Sequence, residues 1–353
     1  MSETSQTKKT SQRTAIPRSL IWDVAQEAGV SIATVSRALN GKTDVASVTR
    51  ENILRIAQEK GYISNKHART LVGRHLIGFT VPQVRSLYFV EIMQGAAEAL
   101  EAHEANLVVC PTDYQSAREK SLLKRLLRAG VDGALLVLPS ESNTELLRLQ
   151  QRGYPFVIVD PTLPVSEHLL VVAATNIAGG RQATEHLLSL GHRRIGAITG
   201  PASWCATTDR LAGYYAVLSS AGLVIDPALA VAADFTIEGG MQAANQLLAL
   251  SEPPTAIFAF NDEMAVGTLR AAEQRGLRVP EDLSIVGFDD ATFASYTTPA
   301  LTTVRQPSRE LGRVGIGILF RQMQGQTIEA RKIELSTRLI VRESTGPAPD
   351  RLS

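Results

Sequence analysis

The sequence predicts an all-α helix-turn-helix headpiece followed by an α/β body of two doubly wound parallel-sheet lobes. Three observations predict it. Two short amphipathic helical patterns meet at a glycine near the start of the chain. From His75 onward, wholly apolar runs alternate with amphipathic helical stretches. Charge is also divided along the chain, since residues 1–75 carry twelve Lys/Arg against six Asp/Glu, a net +6 that leaves −5 for the remainder of a chain whose total is +1. A basic end on an acidic body suits a protein that grips phosphates at one end alone.

The headpiece reading rests on the stretch from Val30 to Gly41, VSIATVSRALNG. Ser31 is a good N-cap, Val35, Ala38 and Leu39 share one helical face, and Asn40-Gly41 stops the run. A helix of about two turns is unstable by itself and needs partners. One precedes it over Ile21–Ala28, with Ile21, Val24, Ala25 and Ala28 inward and Gly29 as its stop. A third pattern runs from about Val48 to Lys60, turning Ile53, Ile56 and Ala57 inward before Gly61. In a helix-turn-helix the second helix puts its N-terminal residues on base edges in the major groove. Those residues are Ile32, Ala33, Ser36 and Arg37. Ahead of this unit, residues 1–17 are rich in Ser, Thr, Gln and Lys and lack apolar periodicity, so a disordered arm is expected.

In the body, the apolar runs are Ile77–Val81, Leu107–Cys110, Ala134–Leu138, Phe156–Val159, Ile195–Thr199, Ala256–Phe260 and Ser284–Phe288. Apolar strands alternating with helices are the mark of parallel sheets covered on both faces. There are too many for one sheet of ordinary size, so two lobes are expected, split near residue 174. Ligands of open α/β sheets bind beyond the carboxyl ends of the strands. There the sequence places Asp160, Gly200, Asp234, Asn261-Asp262 and Asp289-Asp290. A single Asp after a strand is more often a helix cap than a ligand contact. Several on one rim shift the balance towards a binding cleft.

Other chemistries find little support. The chain has two cysteines, Cys110 and Cys205, without metal-ligand spacing, so no disulfide framework, metal site or cofactor is expected. The run Gly312-Arg313-Val314-Gly315-Ile316-Gly317 has the wrong glycine order for a dinucleotide fingerprint and reads as the small-residue face of a packed helix. There is no nucleophile elbow and no metal spacing among the six histidines, so an enzyme is not expected. No apolar run approaches the roughly 20 residues of a membrane span and no signal-peptide core is present, so a cytoplasmic protein is expected, without a membrane partner.

The stretch IWDVAQEAGVSIATVSRALNGKTDVASVTRENILRIAQEKGYISNKHARTL resembles the DNA-binding headpiece of the LacI/GalR family of bacterial transcription regulators, with VSIATVSRALN as its most specific part. The likeness continues to about residue 345 and implies a body of the periplasmic-binding-protein type, in which the chain crosses between lobes three times. The implied organisation is a headpiece over 18–63, a hinge over 64–74, a first lobe over 75–173 and 307–337, a second lobe over 174–306 and 338–346, and a tail over 347–353. A helix at about Ser308 to Met323 would return to the first lobe, and a strand around Leu339 to Arg342 would belong to the second. Two departures from the family pattern are Leu20 in place of the usual Thr cap and Ser64 where Pro is common.

The resemblance implies a homodimer on a pseudo-palindromic operator; family tetramers carry a C-terminal leucine heptad helix where this sequence reads STGPAPDRLS, so a dimer is expected. Arg37 would contact guanine or phosphate, Ile32 and Ala33 thymine methyls, and Ser31, Thr34 and the helix amides phosphate. Ser36 and Asn40 complete that surface. Asn65, Ala68, Arg69 and Leu71 belong to a hinge that folds on DNA, with Leu71 wedged into the minor groove. The implied effector pocket takes Leu87, Tyr88 and Phe89 from the loop after the first strand, and Asp160, Arg210, Phe235, Asn261, Asp289 and Gln306. Trp204 either adds a second aromatic platform or only packs its loop. Carboxylates, amides, an Arg fork and an aromatic platform suit a mono- or oligosaccharide. A purine or another metabolite acting as co-repressor would use similar groups, and a non-regulatory sugar-binding protein would share the body. Induction and co-repression both remain open.

Overall fold

The computed structural model describes residues 21–39, 45–59, 75–128 and 130–349. The arm, Asn40 and the hinge at 64–74 lie outside them. The chain divides into two compact units, residues 1–74 and 75–353, each considered by itself.

The first unit holds α1 (Ile21–Ala28), α2 (Ile32–Leu39) and α3 (Ser47–Glu59). Their apolar stripes meet in one small core, where Val24, Val35, Ile53 and Ala57 are completely buried and Ala25, Ala38, Val45 and Ile56 nearly so. Gly29 takes a φ of +66° between α1 and α2, a conformation open to glycine without steric cost. The helix-turn-helix read from the spacing of apolar residues is therefore formed, with α3 closing its core from a third side.

The second unit contains two six-stranded sheets. The first is built from β1 (Leu76–Val81), β2 (Asn106–Pro111), β3 (Gly133–Val137), β4 (Phe156–Val159), β5 (Val171–Ala174) and a late strand, β11 (Lys332–Leu335). In space their order is β11-β5-β4-β3-β1-β2, and every pairing is parallel. Successive residues of a strand face opposite sides of the sheet. Leu135, Val137, Val157, Val159 and Val172 accordingly pack into one core, while Ala134, Leu136, Phe156, Ile158 and Val171 pack into another. Burial on both faces is why these strands are apolar throughout.

Helices α4 (Leu87–Glu101), α5 (Ser116–Arg128) and α6 (Asn143–Gln151) connect them, and α7 (Asn176–Ser189) leads into the second lobe. The second sheet has the order β12-β10-β9-β8-β6-β7, from β6 (Ile195–Thr199), β7 (Ala230–Ala232), β8 (Ala256–Ala259), β9 (Ser284–Asp289), β10 (Thr302–Arg305) and β12 (Arg338–Ile340). Its helices are α8 (Cys205–Ser220), α9 (Ile237–Leu248) and α10 (Asp262–Gln274). The last helix, α11 (Ser308–Met323), returns to pack on α4 and on β3, β4 and β5 of the first lobe.

Two features correct the sequence reading. The second sheet is not wholly parallel, because β12 runs antiparallel to β10. Its chain arrives from the end of β11 in the other sheet and enters this one from the inter-lobe side, against the direction of its neighbours. The apolar-run criterion also passed over β5, β10 and β11. Thr302-Thr303-Val304-Arg305 is Thr-rich, and Lys332-Ile333-Glu334-Leu335 alternates polar and apolar residues as a half-exposed edge does.

The glycine run of α11 separates into two faces. A Cβ on Gly312 would lie 2.0 Å from the Ile92 carbonyl oxygen, and one on Gly315 would meet Leu135 at 2.7 Å, whereas Gly317 has nothing within 4 Å. A Cβ on Gly95 of α4 would likewise lie 1.7 Å from the Arg309 carbonyl oxygen. The two helices pack backbone to backbone, as a small-residue face predicts.

Candidate functional site

In the headpiece, Ser31 accepts a hydrogen bond from the Thr34 amide at 3.1 Å, and the two hydroxyls are 2.8 Å apart. This caps α2 at its N-terminus. Val35 and Ala38 face inward, so Ser31, Ile32, Ala33 and Arg37 fall on the exposed side, with Thr34 and Ser36 half-buried. Ile32 is 44% exposed at the first turn of α2. Of the other residues expected at DNA, Asn40, Asn65, Ala68, Arg69 and Leu71 lie outside the described residues.

In the body, the carboxyl ends of both sheets open on one cleft of about 870 Å³. Nine of the ten expected effector residues line it: Tyr88, Phe89, Asp160, Trp204, Arg210, Phe235, Asn261, Asp289 and Gln306. Leu87 does not. It opens α4 next to Tyr88 and Phe89, and successive helical side chains point about 100° apart, so three in a row cannot all face one cleft.

At the cleft floor, Tyr88 donates its phenolic proton to Asp160 Oδ2, and the Ala174 amide donates to Asp160 Oδ1 at 3.1 Å. Asp160 therefore lines the pocket and caps no helix among the described residues. From the opposite lobe, Gln306 Nε2 donates to Asp289 Oδ1 at 2.7 Å. The Arg210 side chain is nearly all buried. Its Nε donates to Asn176 Oδ1 at 2.8 Å, its Nη1 donates to the Phe260 carbonyl, and its guanidinium carbon sits 3.6 Å from the centre of the Phe288 ring. Asn261 does act as a cap, accepting from the Met264 amide at 2.8 Å, while its Nδ2 donates to the Phe235 carbonyl at 3.1 Å. Asp262 lies behind the wall, held by Thr303 Oγ1 at 2.5 Å and the Ala291 amide at 2.7 Å. Asp234 accepts from the Thr236 amide at 3.2 Å, a local turn contact.

Burial dominates the electrostatics. It pushes the Asp160 carboxyl above its ordinary range, against the hydrogen bonds of Tyr88 and Ala174 and the charge of Arg210. It pushes Asp289 up to about 7, against Arg210 and Gln306. Asp262 rises well above the carboxylate range through burial and the nearby Asp289, and the Tyr88 phenol is raised by burial and Asp160. A second anion brought onto this floor would meet two carboxyl groups from opposite lobes. A ligand carrying hydroxyl donors meets carboxyl acceptors there; Gln306 Oε1 is a buried atom with no hydrogen-bond partner among the described residues.

Several wall residues sit on strained backbone. Leu138, Asp160, Phe235 and Asp289 have φ of 46°, 45°, 65° and 121°, values side-chain-bearing residues seldom adopt. Strain of this kind persists where the surroundings over-determine it, and it concentrates at ligand sites. The aromatic wall is larger than the sequence indicated. Trp204, just ahead of α8, lies 5.3 Å from Phe235 and 5.6 Å from Tyr114 of the first lobe, centre to centre. Tyr114 was missed because it follows β2 through a turn in which Asp113 and Tyr114 both take positive φ, 52° and 57°, which no spacing announces. The lobes also touch through the Cys205 amide, which donates to the Thr162 carbonyl at 2.9 Å.

Two family models match the chain: bacterial regulatory proteins of the lacI family over residues 20–65, and a periplasmic binding protein-like domain over residues 184–345. The HTH-type transcriptional regulator DegA of Bacillus subtilis (strain 168) is 34% identical over 338 residues, 94% of this chain and 99% of its own. Among solved structures, a transcriptional regulator CelR-cellobiose complex shares 34% identity with a TM-score of 0.71, covering 93% of this chain and 100% of that one. The lac repressor dimer bound to operator and the anti-inducer ONPF shares 30% identity with a TM-score of 0.71, covering 94% and 100%.

Proposed function

Because this chain belongs to the LacI family of DNA-binding bacterial transcriptional regulators, we propose that it represses transcription from a pseudo-palindromic operator and that a neutral carbohydrate between its lobes controls its hold on that DNA. The observation that carries the effector class is the placing of Asp160 and Asp289 on opposite sides of one cleft, beside the Phe235 ring. Carboxyl groups from both lobes disfavour an anion and accept from hydroxyl donors, and an aromatic face takes the apolar face of a sugar ring. The cellobiose complex of a relative supports the same class.

On the DNA side, the exposed face of α2 reads bases through Arg37, Ile32 and Ala33, with Ser31, Thr34 and Ser36 at phosphate. Asn40 and the hinge residues Asn65, Ala68, Arg69 and Leu71 complete the contact, and two subunits place two such helices on the two half-sites. The protein acts in the cytoplasm, where its operator is. Among the described residues no helix is long and apolar enough to cross a membrane. Coupling between cleft and operator is reciprocal, so a sugar that releases DNA is itself bound less tightly by the DNA complex.

The test is calorimetric titration of the full-length protein with panels of neutral sugars and of nucleobases and nucleosides, combined with selection of bound sequences from random DNA. Sugar binding that shifts affinity for a selected pseudo-palindrome is the expected result. Binding of nucleobases alone would overturn the carbohydrate assignment while leaving the regulator intact.

A further inference from the structure

The cleft is larger than its polar floor requires, and its outer part is built differently. The floor is the compact cluster of Tyr88, Asp160, Asp289, Arg210 and Gln306, groups suited to the hydroxyls of one sugar ring. Outward from Phe235 the wall becomes an aromatic row of Phe235, Trp204 and Tyr114, with ring planes tilted by 33° and 36° at successive contacts. The row crosses from one lobe to the other, since Phe235 and Trp204 belong to the second lobe and Tyr114 follows β2 of the first. It does not end at the cleft. Tyr114, Gln83 and Arg85 also line a shallower recess, shared with Val84, Pro111 and Asp113, that continues the surface beyond the cleft.

Three facts argue that the row is a ligand surface rather than packing. Tyr114 is 44% exposed, although its backbone φ of 57° holds it at the mouth of the cleft. Its hydroxyl is held by Gln83 Nε2 at 3.3 Å, and Gln83 Oε1 in turn accepts from Arg85 Nε at 2.7 Å, so the ring is fixed in place by polar groups. Glu263, half-buried at the start of α10, adds a carboxyl to the same lining. Aromatic faces backed by polar groups, arranged as a track, are suited to successive sugar rings of a chain rather than to one ring.

Resting on the carbohydrate reading above, we propose that the effector is a neutral oligosaccharide of at least two residues. One residue is held at the Asp160–Asp289 floor, and the next lies along Trp204 and Tyr114, which set the preference for chain length.

The test is titration of the full-length protein with matched ladders of mono-, di- and trisaccharides (glucose, cellobiose and cellotriose; glucose, maltose and maltotriose; galactose and lactose), with adenosine, cytidine and hypoxanthine as a separate arm. In one ladder the disaccharide is expected to bind at least about tenfold tighter than its monosaccharide, the order given by burying one sugar face on an aromatic surface. Tyr114→Ala and Trp204→Leu should each lower disaccharide affinity several-fold more than monosaccharide affinity, removing most of that advantage. As a readout free of mutation, the fluorescence of Trp204, with Trp22 replaced by Phe, should shift more with the disaccharide than with the monosaccharide. Equal affinity along every ladder, or unaltered chain-length preference in both variants, overturns the second subsite and leaves the carbohydrate reading standing. Binding confined to the nucleoside arm, or to neither arm, overturns the carbohydrate reading and this proposal with it.

Discussion

Gln306 Nε2 lies 2.7 Å from Asp289 Oδ1, a side-chain contact that adds to the backbone pairing where β9 and β10 end at the wall of the cleft. Burial raises the Asp289 carboxyl to about 7, so near neutrality the unliganded cleft is divided between protonated and ionised forms. A sugar hydroxyl donating to Asp289 favours the anion. Effector affinity should therefore rise between about pH 6 and pH 8, with proton release, which calorimetry in buffers of different ionisation enthalpy measures. Asp289→Asn should abolish both the slope and the proton release. In the unliganded protein the sign reverses. The folded value lies above the unfolded one, so the contribution of Asp289 to stability is fully present below pH 3.8 and is lost as pH rises through about 7.

How much of this was legible in the sequence follows from what sets each feature. The helix-turn-helix was readable because Val24, Val35 and Ile53 stand in local helical periods and the stops are glycines. Most of the apolar strands, though not β5, were readable because both faces of each sheet are covered. Thr302–Arg305 and Lys332–Leu335 were not, being held by neighbours remote in sequence more than by their own apolar content. In the cleft, residues directly following apolar strands, such as Asp160 and Asp289, could be found by position. Their partners could not. Asn176 holds Arg210 from 34 residues away, and Tyr114 meets Trp204 across two lobes. Such pairings come from tertiary topology, and a single sequence does not display them.

The packing of α4 on α11 yields a paired stability test. Gly312→Ala puts a methyl group 2.0 Å from the Ile92 carbonyl oxygen, a backbone atom that yields only if the helices separate. A loss of about 1–3 kcal/mol, or more, is expected in urea unfolding. Gly317→Ala on the same helix enters open space and should instead stabilise by about 0.5–1 kcal/mol, because alanine loses less backbone entropy in a helix. Equal effects from the two substitutions would contradict the close approach.

On the exposed face of α2, Arg37→Ala should cost about 1–3 kcal/mol of operator affinity and relax preference at the base it reads. Loss of a phosphate contact alone would weaken all sequences equally and reduce the salt slope by about one. Binding measured at several salt concentrations on the selected operator and on a scrambled duplex separates the two roles. Ile32→Ala should act on the operator and leave the scrambled duplex unaffected, since an apolar contact to a thymine methyl carries no charge.

In the first lobe, Glu141 of the loop between β3 and α6 and Glu119 of α5 form a second titrating element. Glu119 and Glu141 are both buried, and Glu119 Oε2 accepts from the Ser140 amide at 2.8 Å. The other three carboxyl oxygens of the pair have no hydrogen-bond partner among the described residues, and burial beside one another favours a proton on one of them. Burial, reinforced by Glu119, pushes Glu141 up to about 9. Its folded value exceeds the unfolded one, so its contribution to stability is fully present below the ordinary carboxylate range, at pH 4.5, and is lost as pH rises through about 9. Thermal unfolding should show wild-type Tm falling between pH 7 and pH 10. Glu141→Gln supplies a permanent N–H donor to Glu119 in place of the proton and should flatten that decline. A Glu141→Gln variant that loses stability in parallel with the wild type across this range would show that the two carboxyls do not share a proton.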